Sequence, residues 1–282
     1  MIRFLSAAES CELLSARDAF LAAFTPADFR FRTKDPRGGM AAYRELVRKA
    51  ALEWDAEEEA KAAACLEAAR AAYGPYAALL PPDLRLARLD GSEEPGNAHC
   101  RGSDAIVLHG GALGRTDRGL TRLLVHELVH LLTRKRPELR ERLYAQIGFR
   151  KAPPLEAPAG LRDQAITNPD QPVNEYRFPA LVAGAERELY PLLFSRDPAS
   201  FRLEDIEAKF LDAATGELYA MGELENYRER VGGNTDYDIQ PEEIVAENVT
   251  KLLLREEVPD AGLLARIKAV LDEAAGGAGL LS

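Results

Sequence analysis

Two histidines four residues apart flank a glutamate in "LLVHELVHLLTRKR", residues 123–136, although the whole chain holds only 4 histidines. On a helix, positions i and i+4 lie one turn apart on the same face, so the imidazoles of His126 and His130 can converge on one point. Tetrahedral zinc needs that arrangement from two of its ligands. Glu127, one residue beyond His126, projects beside the same point, where it reaches a water rather than the ion. With 4 His and 46 acidic residues in 282 positions, H-E-x-x-H arises by chance about 0.01 times per chain. Imidazoles buried on a core helix without partners would also cost desolvation energy. The pattern therefore reads as two zinc ligands and a general base.

A catalytic zinc takes three protein ligands and keeps one position open. Thr133 and Arg136 stand where a three-histidine extension of the motif needs glycine and histidine, which leaves His99, His109 and later carboxylates. "PEEIVAEN", residues 241–248, offers Glu243 in the first turn of a helix and Glu247 one turn later on the same face. Glu243 can bind the ion while Glu247 accepts the free N–H of a ligating histidine; Glu242 is the nearest competitor. Proline at the first helical position and acids near the positive end would make this helix without any metal. The need for a third ligand is what singles out Glu243.

Together, "HELVH" (126–130) and "EIVAE" (243–247) resemble the gluzincin branch of the zincin metallopeptidases, in which H-E-x-x-H is completed by a glutamate on a later helix, often followed four residues on by an acid. The wider string "PEEIVAEN" is also similar to the second motif of bacterial metallopeptidases of unassigned substrate. The resemblance implies zinc held by His126, His130 and Glu243, with Glu127 as base and Glu247 behind a ligating histidine. It implies a zincin-like α+β fold, mainly helical, with a small mixed sheet next to the HExxH helix. This chain departs from the commoner pattern in carrying Glu rather than Asp at 247.

The chemistry expected from these parts is peptide-bond hydrolysis. Zinc lowers the pKa of a bound water to about 7 and polarises a carbonyl, and Glu127 moves the water's proton to the leaving amine. The developing oxyanion needs a further donor. Tyr237, shortly before Glu243, is the candidate, with Tyr219, Tyr227 and His109 as alternatives. Two other functions fit the same residues: a zinc amidohydrolase acting on a small amide, or a regulatory zinc-binding module without turnover. Glu127 argues against the last, because a structural site has no use for a base.

These side chains must be carried by particular elements. Residues 1–82 read as a helical region: "AAESCELLSARDAFLAAF" repeats apolar positions at three and four, and residues 40–73 are rich in helix formers. Pro75, Pro81 and Pro82 end that pattern. "LRLARL" (84–89) and "AIVLH" (105–109) read as strands separated by the turn-rich "GSEEPGNAHCRGSD". Thr116 or Asp117 can cap a helix carrying the HExxH motif, whose basic end stops at Pro137. "PELRERLYAQI" makes the next helix and ends at Gly148. The expected catalytic domain, 83–282, thus holds a long insert at about 151–236. It opens with a proline-rich irregular stretch over 151–179 and continues as hairpins turning near Gly184 and Gly216. Helices follow from Pro241 and over about 261–274. "AIVLH" is expected at the sheet edge beside the active helix, where an extended peptide can add by main-chain hydrogen bonds, and the insert is placed either as a wall of the cleft or as a scaffold lobe.

Composition narrows the partners. Hydrophobic residues make up 46% of the chain, enough for a sizeable core. The formal charge of -10 and pI near 5.1 offer no cationic surface to a phosphate backbone, and "RKRPELRER" interleaves acids with its bases. The expected partner is a peptide or protein substrate, with no nucleic acid and no membrane. No stretch approaches the roughly 18 to 20 apolar residues that span a bilayer, and the N-terminus does not read as a signal peptide. Cys11, Cys65 and Cys100 are scattered and odd in number, which suits reduced thiols in a cytoplasm.

Overall fold

The computed structural model describes residues 1–94, 98–197, 202–237 and 239–278. Parts of two turn-rich segments, at 95–97 and at 238, lie outside them, as does the end of the glycine-rich tail. The architecture is α+β, mainly helical, with two small sheets. No helix among the described residues is long and apolar enough to cross a membrane.

The chain opens with strand β1 (Ile2–Phe4) and helices α1 (Ala7–Ser15), α2 (Ala19–Ala22), α3 (Pro26–Thr33), α4 (Met40–Ala50) and α5 (Ala56–Ala72). The helix-forming stretch over 40–73 is two helices rather than one. Asp55 restarts it, its side chain accepting from the N–H groups of Glu57 and Glu58, as an N-cap does. Strands β2 (Leu84–Leu89), β3 (His99–Arg101) and β4 (Ala105–His109) follow, then the short α6 (Gly110–Leu113), the long α7 (Asp117–Lys135) and α8 (Pro137–Gln146).

The first sheet runs β1-β2-β4-β3, with β1, β2 and β4 parallel and β3 antiparallel to β4. Its two faces are covered by different helices, and its central strand β4, AIVLH, is accordingly a continuous apolar run. Leu84, Leu86, Ile106 and Leu108 join the main core beneath α5 and α7. Ala87, Leu89 and Val107 pack with Leu14, Phe20, Tyr43 and Val47 of the N-terminal helices. Two expectations need correction here. The helical reading of residues 1–82 omitted β1, which is too short to show periodicity. And "AIVLH" is not the edge: β3, three residues hidden in an apparent turn segment, pairs outside it.

The rest builds a second sheet, antiparallel, in the order β5 (Arg150–Lys151), β6 (Tyr176–Val182), β7 (Ala185–Ser195), β8 (Ile206–Asp212) and β9 (Leu218–Tyr219), with a short α9 (Ala159–Arg162) and α10 (Tyr227–Val231) beside it. Both expected hairpins form. Ala183 (φ 48°) and Gly184 (φ 74°) make the left-handed two-residue turn between β6 and β7 that matches strand twist. Gly216 (φ 78°) turns β8 into β9. Phe178 meets Phe149 and Tyr227 edge-on, and Phe210 meets Tyr227 in the same way, joining this sheet to the main core. Helices α11 (Pro241–Leu254) and α12 (Ala261–Ala278) complete the chain.

The irregular stretch before β6 is pinned by one buried ion pair. Asp28 and Arg32 on α3 meet at 2.7 Å with both side chains fully buried. The same Asp28 carboxylate accepts the N–H (2.8 Å) and the hydroxyl (2.8 Å) of Thr167, and Arg32 donates to the Thr167 carbonyl. Removing Asp28 takes away both the buried partner of the Arg32 Nη1 and the acceptor of two Thr167 hydrogen bonds, leaving Arg32 with Glu94 at 2.7 Å. Asp28→Ala is therefore expected to cost about 1–3 kcal/mol for the buried donors it leaves unpaired, read as a lowered midpoint in urea unfolding.

Candidate metal centre and cleft

Helix α7 carries the site because its sequence places polar groups on one stripe of an otherwise buried helix. Thr116 caps it, accepting from the Gly119 N–H. Arg122, His126, His130 and Arg134 then recur every four residues, a spacing that keeps them on one face. This face meets the start of α11. His126 Nε2 lies 3.2 Å and His130 Nε2 3.7 Å from Glu243 Oε2, so the two imidazoles and the carboxylate offer three ligand atoms within 4.8 Å of one another. The other oxygen, Oε1, accepts from the Asn168 amide at 3.1 Å.

Behind His126 stands Glu247, its Oε2 3.5 Å from His126 Nδ1. Arg122, one turn before His126, holds Glu247 and also pairs with Glu256 at 2.7 Å. His126 is thus gripped at both ring nitrogens, Nδ1 towards Glu247 and Nε2 towards Glu243. Glu127 projects instead towards the edge strand, where the Cys100 thiol lies 3.4 Å from its Oε2. Asp170, paired with Arg134 at 2.8 Å, completes a second buried group with Cys100 and Glu127.

Other candidates lie elsewhere. Glu242 is buried and faces away, near Tyr144 and Arg140, with its carboxyl pushed up to about 8 chiefly by burial. His109 caps α6, its Nδ1 accepting from the Gly111 N–H at 3.1 Å. Tyr227 is locked in the aromatic cluster of the second sheet, and the Tyr219 hydroxyl bonds Glu217. Tyr237 alone of the proposed oxyanion donors lines the cleft with the histidines; it is 45% exposed, its ring 6.2 Å from that of His126.

The cleft encloses about 570 Å³, in the range of sites for small ligands. The insert forms one of its walls, contributing Ile166, Asn168, Asp170, Leu193 and Ile206. Asn168, Asp170, Cys100, Arg122 and Arg134 were not singled out from the sequence. For the two arginines the signal was present, at four residues before and after the histidines. For Cys100 and Asp170 there was none, because neither lies in a spacing that local structure makes meaningful.

Two imidazole nitrogens and one carboxylate are a donor set that zinc accepts with a position to spare. Their surroundings fit a cation as well. Glu127, Asp170, Glu243 and Glu247 crowd around two histidines, with Arg122 and Lys251 paired to Glu247 and Arg134 to Asp170. The crowding displaces protons: burial, then the Asp170 charge, pushes Glu127 up to about 8. At His126 burial opposes protonation, but Glu243 and Glu247 overcome it and hold the ring up to about 10. A dication among these groups favours the opposite forms, ionised carboxylate and neutral imidazole.

Comparison of the chain with protein-family models, with curated proteins and with solved structures found no match.

Proposed function

We propose that this chain is a zinc metallopeptidase, zincin-like in fold and gluzincin-like in its site, that hydrolyses peptide bonds. The observation that carries the reading is the meeting of His126, His130 and Glu243, whose ligand atoms come within 4.8 Å although Glu243 lies 117 positions after His126. Bound zinc supplies an activated water and a polarised carbonyl. The chain's own groups do the rest. Glu127, buried beside the ligands and lining the same cleft, would take a proton from the attacking water and pass it to the leaving nitrogen. Glu247 holds the Nδ1–H of His126, fixing the ring so that Nε2 faces the ligand point. The Tyr237 hydroxyl, at the mouth of the same cleft, is the donor for the oxyanion.

One observation favours a second reading, hydrolysis of a short peptide or small amide. Strand addition needs the outward backbone groups of the edge strand, and the Cys100 N–H of β3 already donates to Asp170 at 3.1 Å. A long extended chain cannot use that N–H unless Asp170 leaves it.

Zinc per chain, measured by elemental mass spectrometry, is expected at one for the wild type and Glu242→Gln and far less for Glu243→Ala; no zinc in the wild type after loading would end the reading. Glu127→Gln is expected to keep zinc and lose turnover of a peptide mixture, and turnover that survives would refute its role as base. Glu247→Ala should weaken zinc or activity about 10- to 100-fold, checked by competition with a metal indicator; unchanged affinity and activity would leave Glu247 with no part in orienting His126.

A further inference from the structure

Most charged groups along the cleft are already committed. On the β3 side Glu94 pairs with Arg32 at 2.7 Å and Asp170 with Arg134 at 2.8 Å. His99, a candidate zinc ligand in the sequence, is buried beside them with its Nε2 3.5 Å from Glu93, outside the set of converging ligand atoms. Two guanidiniums line the cleft directly, those of Arg115 and Arg122. Arg122 is spent on Glu247 and Glu256. The Arg115 guanidinium has no hydrogen bond or ion pair among the described residues, and its side chain is exposed. Its backbone is nevertheless fixed, the N–H donating to the Ala112 carbonyl at 3.2 Å and the carbonyl accepting from Lys61 Nζ at 2.6 Å.

Arg115 directly precedes the Thr116 cap of α7, about three helical turns before His126. Between the two, Gly119 and Leu123 line the cleft from α7, and at i, i+4 they share one face of the helix. Gly119 has no side chain, so bare backbone floors the cleft between Leu123 and Arg115. Tyr237 stands in the same cleft: burial, then Glu243 and Glu247, push its hydroxyl up, and the Arg115 charge opposes them. Salt screens charges more than about 8 Å apart, so a free guanidinium in the cleft, rather than the formal charge of -10 on the chain, decides what is held beside it. We infer that Arg115 marks the far end of the substrate cleft and binds a carboxylate of the substrate, at its C-terminus or on an acidic side chain, an assignment that rests on the peptidase reading. A guanidinium offers a carboxylate two parallel N–H donors. The rise of α7 between Arg115 and His126 is about 16 Å. The arginine side chain reaches over part of that span, and an extended peptide covers the remainder in about three residues.

The test separates binding from turnover. Three Nα-acetylated hexapeptide libraries are used: one free of Asp and Glu with a C-terminal amide, the same library with a free C-terminal carboxylate, and an amidated library with Asp or Glu at one random position. Glu127→Gln protein, treated with zinc and desalted, is mixed with each, and peptides retained on ultrafiltration are quantified by mass spectrometry. The parent is expected to retain a carboxylate library about tenfold better than the uncharged one, the worth of a charge-assisted hydrogen bond. Adding Arg115→Gln should remove that preference, and Arg115→Glu should invert it. Arg115→Lys, a charge without the planar fork, should keep part of it. Preference for the free C-terminus identifies the terminal carboxylate, and preference for the acidic library identifies a side chain. A carboxylate preference that survives in folded Arg115→Gln and Arg115→Glu proteins belongs to another group and overturns the proposal, as does a parent that shows none. Cleavage of the libraries by the chain with Glu127 intact is scored separately. Cleavage without an Arg115 effect removes only this role, and an Arg115 effect without cleavage removes only the peptidase reading.

Discussion

The structure turns on an electrostatic demand: four carboxylates and two imidazoles share one largely buried region between α7 and α11. Buried charge is tolerated only when paired, and three of the carboxylates here have fixed partners. Arg122 and Lys251 hold Glu247, Arg134 holds Asp170, and Asn168 holds the outer oxygen of Glu243. These partners come from α7, from α11 and from the irregular stretch before β6. The crossing of the two helices and the position of that stretch are therefore parts of one arrangement, and a cation at the histidines would complete it.

Two remote features keep the arrangement in place. The N-terminal helices form a second layer on the first sheet, and through Asp28 and Arg32 they grip Thr167, next in sequence to Asn168. Arg32 also reaches Glu94 on the segment leading to β3. The helices thus position both the loop that brings Asn168 to Glu243 and the edge strand that faces Glu127. On the opposite side, the aromatic cluster around Phe178 and Tyr227 ties the second sheet to the main core, so that Leu193 and Ile206 become part of the cleft wall.

The cleft is chemically asymmetric. On one side it gathers His126, His130, Glu127 and Glu243, while on its β3 side the carboxylates are already paired, Glu94 with Arg32 and Asp170 with Arg134. The edge strand itself is partly spent, because Asp170 takes the Cys100 N–H. A continuous ladder of main-chain bonds along β3 is therefore closed at that N–H while Asp170 holds it.

What could be read from the residue string was whatever a single helix decides. The i, i+4 spacing of His126 and His130 has meaning because the α-helix repeats every 3.6 residues, and proline at 241 with acids in the next turn marks a helix start whatever packs against it. The main helices, the two longer strands of the first sheet and both hairpins followed from the same local rules. Strands β1 and β3 did not, since three residues are too few to show an alternation and their strand character comes from the neighbour they pair with. Nor did the placing of Asp170 and Cys100 beside Glu127, which depends on contacts across tens of residues that no local period records. The choice of Glu243 over Glu242 lay between: the helix offered both, and one step of rotation, about 100°, turned Glu243 to the histidines and Glu242 into the core. That rotation is set by which face of α11 buries Ile244, Val245 and Val249, a decision made by the packed core.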